Sequence, residues 1–145
     1  MAKASSPRKK PRSLGRALIV EDDPLLAMNL EDALMSGGAE AVVVCGTVAA
    51  AMAELTRLKP DILILDVHLA DRDDGWAMAE LVTTLSPRPP AIIFSTGAPE
   101  QIPEHVAQLG AVLVKPYDPA MLIAVLGDLR RKPGLLTRLR EALAG

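Results

Sequence analysis

The sequence predicts an α/β fold in which a five-stranded parallel sheet carries helices on both faces. Three observations predict it. Five short runs are apolar at consecutive positions, the pattern of strands buried on both sides. Between them lie stretches with helix-start and helix-stop signals, so strand and helix alternate along the chain. Half of the 145 residues are hydrophobic, yet Trp76, Phe94 and Tyr117 are the only aromatics, so Leu, Ile, Val, Ala and Met must build the core. Such a core suits helices packed closely on a parallel sheet.

The first run is Ala17–Val20. Asp23-Pro24 follows as N-cap and first-turn proline of a helix with Leu25, Met28, Leu34 and Met35 on its apolar side, stopped by Gly37-Gly38. The second run, Ala41–Cys45, leads to a helix capped by Thr47 and ended at Lys59-Pro60. The third, Ile62–Leu65, precedes a helix opened by Gly75 and running toward Leu85, where Pro87, Pro89 and Pro90 break it. The fourth, Ala91–Phe94, precedes a short helix over Pro99–Leu109, with Pro103 near its start. The fifth, Ala111–Val114, precedes a helix opened by Asp118-Pro119 and ended before Pro133-Gly134.

Residues 1–15, rich in Ser, Pro, Lys and Arg, are expected to be a disordered basic leader, with one domain over 16–132. Residues 133–145 are expected to be a short amphipathic helical extension, because Leu135, Leu136, Leu139, Ala142 and Leu143 share one helical face. That face either packs back on its own domain or serves a homodimer or partner surface. The net charge of −2 hides a split: residues 1–16 hold six basic residues and no acid, leaving ten basic and eighteen acidic residues, a net of −8, in the rest. An acidic body disfavours broad nucleic-acid binding. The thirteen residues after Lys132 are too few for a DNA-binding output domain. Cys45 is the only cysteine, so no internal disulfide forms. No apolar run is long enough for a signal-peptide core or a membrane span, and a cytoplasmic location is expected.

Ligands of such sheets bind at the carboxyl ends of the strands. There the sequence places Glu21-Asp22-Asp23, Asp66, Ser95-Thr96-Gly97 and Lys115-Pro116. Crowded carboxylates repel, and a hard divalent cation with oxygen ligands relieves the repulsion. Lys115 offers a positive charge for a phosphate oxygen, Thr96 a hydroxyl donor, and a carboxylate can accept a phosphoryl group as an acyl phosphate. Each residue alone has an ordinary structural explanation, and Asp23 reads as a helix cap. Together, four strand ends carrying complementary groups do not. No strong general base accompanies them, which disfavours a multi-turnover hydrolase.

The runs Ala17 to Asp23, Ile62 to Asp66, Ser95-Thr96-Gly97 and Val114-Lys115-Pro116-Tyr117 resemble those of response-regulator receiver domains, over roughly Arg16 to Lys132. The resemblance implies a flavodoxin-like sheet of order 2-1-3-4-5 and a stand-alone, single-domain regulator. It implies Asp66 as phosphoacceptor, Thr96 as the switch hydroxyl and Lys115 as the lysine that grips phosphate. It implies Mg²⁺ (or Mn²⁺) held by Asp22 directly, Glu21 through water, Asp66 and the backbone carbonyl of His68. The implied donor is a histidine kinase or histidine phosphotransfer protein, the output a downstream protein target, and the chain is no enzyme beyond slow autodephosphorylation. Ala70 stands where a proline is usual, the loop Asp71 to Asp74 is slightly long, and Gly97 stands where alanine is common. The stretch from Thr96 to Lys115 is short by about one helical turn. Val112 occupies the position of a switch aromatic, so a Thr-to-aromatic relay is not expected. The run Phe94-Ser95-Thr96-Gly97 is similar to a Phe-Ala-Thr-Gly run of a stand-alone subgroup. The alternatives are a pseudo-receiver that binds a partner without phosphorylation, and a haloacid-dehalogenase-type phosphatase. The latter places an acid two residues after its nucleophile, where this chain has His68.

Overall fold

The computed structural model describes residues 13–69 and 74–131. Strands β1 (Gly15–Val20), β2 (Ala39–Cys45), β3 (Ile62–Asp66), β4 (Ala91–Thr96) and β5 (Ala111–Val114) form one sheet of order β2-β1-β3-β4-β5. Every neighbouring pair is parallel. The intervening helices are α1 (Pro24–Ser36), α2 (Val48–Leu58), α3 (Ala77–Leu85), α4 (Glu104–Ala107) and α5 (Pro119–Arg131).

Alternation along the strands sorts the core into two halves. Leu18, Val20, Leu63, Leu65, Ile92 and Phe94 pack with α2, α3 and Val106 of α4. Ala17, Ile19, Ile62, Ile64, Ile93 and Leu113 pack on the other face with Leu30 and Leu34 of α1 and Leu122 and Leu126 of α5. Consecutive apolar residues in β1, β3 and β4 are thus explained, since both faces are covered. The outer strands depart from that expectation: Val44 of β2 and Val114 of β5 are exposed, because each strand has a sheet neighbour on one side only.

The element bounds differ from the sequence reading at instructive places. The expected leader loses its last residues to the domain, because Leu14 is buried and Gly15 already opens β1. Residues 1–12 and the expected extension over 133–145 lie outside the described residues, as do Ala70 and the loop residues to 73. The single helix expected over Pro99–Leu109 is instead a 3₁₀ turn, Pro99–Gln101, followed by the one-turn α4. Pro103 lacks an N–H and forces Ile102 into an extended conformation (φ −80°, ψ 123°), which separates the two pieces. Gly75 does not start α3, which begins at Ala77. Its N–H donates to the Val67 carbonyl at 3.1 Å, and a Cβ there would lie 2.8 Å from the Asp66 carbonyl oxygen. Only glycine allows that approach of backbone to the end of β3.

The apolar side expected for α1 is also corrected. Asp23 caps the helix through Oδ1, accepting from the N–H groups of Leu25 and Leu26. The buried side chains are Ala27, Leu30 and Leu34, at i, i+3 and i+7, whereas Leu25, Met28 and Met35 face solvent. Both stripes have helical spacing, so periodicity alone did not choose between them. Leu30→Ala should therefore cost about 2–5 kcal/mol. Met28→Ala should stay within about 0.5 kcal/mol. Urea unfolding measures both, and equal losses would mean that α1 is seated by its other face.

Candidate functional site

The alternation that sorts the core also sets the parity of the strand ends. Glu21 continues the series Ala17, Ile19; Asp66 continues Ile62, Ile64; Ser95 follows Ile93; and Lys115 follows Leu113. All four belong to the series that faces α1 and α5. Parallel register then brings the ends level: Val20 lies opposite Leu65, Asp66 opposite Ser95, and Thr96 opposite Val114. Residues far apart in sequence meet for that reason.

The meeting is direct for Lys115. Its Nζ donates to Glu21 Oε1 at 2.7 Å and to Asp66 Oδ2 at 3.2 Å. Glu21 is 3% exposed and Asp66 5%. Their remaining oxygens are engaged by main chain, Glu21 Oε2 by the Asp23 N–H and Asp66 Oδ1 by the His68 N–H, each at 3.1 Å. Asp22 is exposed, and one carboxylate oxygen from each of Glu21, Asp22 and Asp66 lies within 4.8 Å of the others. This is an all-oxygen donor set of the kind that suits a hard divalent cation. Asp23 stands apart from it as the α1 cap.

Two further sequence-expected residues are Thr96 and His68. Thr96 is fully buried and ends β4; its Oγ1 accepts from the Ala98 N–H at 3.0 Å, and among the described residues no hydrogen bond joins that oxygen to the Lys115 cluster. His68 is half-buried, and its described hydrogen bond is the one from its backbone N–H to Asp66. Gly97 leaves open space where a Cβ would be. One contact was not foreseen: the Ser95 and Tyr117 hydroxyls lie 2.7 Å apart. The only sequence signal for it was a serine interrupting the apolar run of β4.

Burial pushes the Glu21 carboxyl above its ordinary 4.5, and the Asp66 charge adds to that, against the bonds from Lys115 and the Asp23 N–H. Burial works against the Lys115 ammonium, but the Glu21 hydrogen bond and the charges of both carboxylates raise its pKa above 10.5. Folded Glu21 therefore holds its proton more tightly than unfolded Glu21, and its part of the stability falls as pH rises from 4.5 through the raised value. The contribution of Lys115 is fully present below 10.5 and is lost as pH rises through its own raised value. In metal-free buffer the unfolding free energy of the wild type, relative to Glu21→Gln, should decline from pH 4.5 upward. A difference that stays flat with pH would show that Glu21 carries no such penalty.

Comparison with known proteins agrees with this geometry. A family model described as response regulator receiver domain matches residues 17–127. The sensory transduction protein LytT of Bacillus anthracis is 27% identical over 132 residues, which is 88% of this chain and 52% of that protein. A receiver domain structure from Methylobacillus flagellatus superposes with a TM-score of 0.70 at 24% identity, covering 81% of this chain and 99% of the other. The structure of PhyR from Bartonella quintana, described as an anti-anti-sigma factor, gives a TM-score of 0.64 at 25% identity, covering 89% of this chain and 49% of the other. The chain spans about half the length of the curated relatives it matches first. With the sheet order, the acidic strand ends and the sequence match in agreement over most of its length, the chain belongs to the response regulator receiver domain family.

Proposed function

We propose that the protein accepts a phosphoryl group on Asp66 from a phosphohistidine donor in a reaction that depends on Mg²⁺ or Mn²⁺. The observation that carries this reading is the Lys115 ammonium bonded at once to Asp66 and Glu21, with Asp22 beside them at the solvent side. Asp66 Oδ attacks phosphorus, the P–N bond of the donor breaks, a P–O bond forms, and the departing imidazole nitrogen takes a proton. Asp66 presents a carboxyl oxygen held by Lys115, which is placed to transfer its hydrogen bond from Asp66 to a phosphoryl oxygen. A divalent cation at the acidic set would neutralise charge on the phosphoryl group. Asp22, the exposed member of the acidic set, is the direct ligand in this reading. Glu21, with both oxygens already bonded, acts through water, and the His68 carbonyl completes the set.

The partners follow from the same chemistry: a histidine kinase or histidine phosphotransfer protein upstream, and a protein target downstream. The similarity to PhyR supports an output through protein contact. No described helix is long and apolar enough to cross a membrane, and a cytoplasmic location is part of the proposal, as is the division into leader, receiver and extension. The second reading, a pseudo-receiver that works unphosphorylated, draws on Val112 and on the single turn that remains of α4.

Acetyl phosphate with Mg²⁺ should add one phosphoryl group to the intact protein, read by mass, and Asp66→Asn or chelation should abolish it. Label that survives Asp66→Asn removes the assignment, and a wild type that takes no label favours the pseudo-receiver. Asp22→Ala should weaken Mg²⁺ binding more than Asp23→Ala, which should instead cost about 1 kcal/mol of stability through the lost cap. Equal loss of metal affinity in both variants would show the two roles to be misassigned.

Activation should also proceed without an aromatic rotamer switch. Val112 lies opposite Phe94 in the β4–β5 register and is packed against the α2/α3 half of the core. It has no ring to swing inward. Hydrogen exchange with and without a beryllofluoride mimic should change over residues 97–109. Changes confined to α2 would contradict this route.

A further inference from the structure

We propose that Tyr117 is a positioning residue for the Lys115 ammonium, acting through its hydroxyl bond to Ser95. The proposal rests on the reading that Asp66 and Lys115 meet the phosphoryl group. The Lys115 N–H donates to the Thr96 carbonyl at 2.8 Å, and this is where the β4–β5 ladder stops. Pro116 follows and has no N–H to extend it. Among the described hydrogen bonds, no main-chain group from Pro116 to Asp118 reaches the sheet. The next main-chain order is the start of α5, where Asp118 Oδ1 accepts from the Ala120 N–H. The backbone that carries Lys115 is therefore ladder-bonded on its N-terminal side only.

The Tyr117 side chain supplies the missing anchor. Its ring packs against the α1/α5 half of the core, and its hydroxyl lies 2.7 Å from Ser95 Oγ. Ser95 is a firm anchor point, 1% exposed and opposite Asp66 in the β3–β4 register. A closed ring of contacts results. Asp66 is laddered to Ser95, Ser95 is bonded to Tyr117, Tyr117 stands two residues from Lys115, and Lys115 returns to Asp66 at 3.2 Å. Lysine is a point charge on a flexible four-carbon stem, so its aim depends on where its backbone is held. A misplacement of about 1 Å at a reacting centre can cost on the order of a hundredfold in rate. The hydroxyl of Tyr117 fixes that position, and the ring alone does not.

The test uses the full chain and beryllofluoride as the phosphoryl mimic, titrated calorimetrically with saturating Mg²⁺. Tyr117→Phe keeps the ring and removes the hydroxyl, and should weaken beryllofluoride binding by roughly threefold to tenfold, well short of the limit set by a full 1 Å displacement. Tyr117→Phe also leaves the buried Ser95 hydroxyl without its partner, which by itself costs stability. Ser95→Ala separates the two effects, because it breaks the same bond from the other side and leaves the orphaned hydroxyl on half-buried Tyr117 and not at fully buried Ser95. It should weaken binding as much as Tyr117→Phe, Ser95→Thr should restore most of the affinity, and the double variant should be no worse than either single. Mg²⁺ binding without beryllofluoride should be no weaker than in the wild type, since the acidic set is untouched. Normal affinity in Ser95→Ala, or losses that add in the double variant, would overturn the proposal. If the wild type binds beryllofluoride and the variants match it, only the positioning role fails. If the wild type binds none, the phosphoacceptor reading fails and this one falls with it.

Discussion

Three carboxylates brought within 4.8 Å of one another would repel strongly, and two of them are buried. The ammonium of Lys115 makes their arrangement tolerable. It arrives from a residue 94 positions after Glu21 and 49 after Asp66, so the cluster forms only when β1, β3, β4 and β5 are assembled side by side. The compensation is partial: one ammonium faces three acids, and burial still pushes the Glu21 carboxyl upward. The site is therefore held in a state that gains from further positive charge and resists further negative charge without it. That imbalance supports reading the edge as a place for a cation and a phosphoryl group together.

The sheet register does the rest of the positioning. Because side chains alternate, one series faces α1 and α5 and supplies Glu21, Asp66, Ser95 and Lys115. Thr96 belongs to the opposite series with Ile92 and Phe94, and its hydroxyl is engaged within its own loop. The separation is physical, since a one-residue slip in any strand would carry its functional group to the other face. Gly75 adds a further restraint, because only a residue without Cβ lets the chain return so closely to the end of β3.

Much of this was legible in the sequence. The continuous apolar runs gave five strands, and their polar terminal neighbours gave the site, because a buried parallel strand leaves chemistry only at its ends. The resemblance to receiver domains added the strand order. What was not legible has specific causes. Leu25, Met28 and Met35 make a helical stripe as regular as the one that is buried, and only packing on the sheet distinguishes them. Pro103 was visible, but two short pieces or one weak helix fit the same letters. The Ser95–Tyr117 bond joins residues 22 apart through a contact that no spacing rule anticipates.

The two margins of the sheet are built unequally. On one side β5 has only four residues and is followed at once by Lys115 and Pro116. Pro116 has no N–H, so the pairing edge of β5 stops after Lys115. On the other side β2 runs for seven residues, with Val44 exposed and Glu40 as its charged residue. An added strand would find the longer pairing edge along β2, at the margin farthest from the lysine.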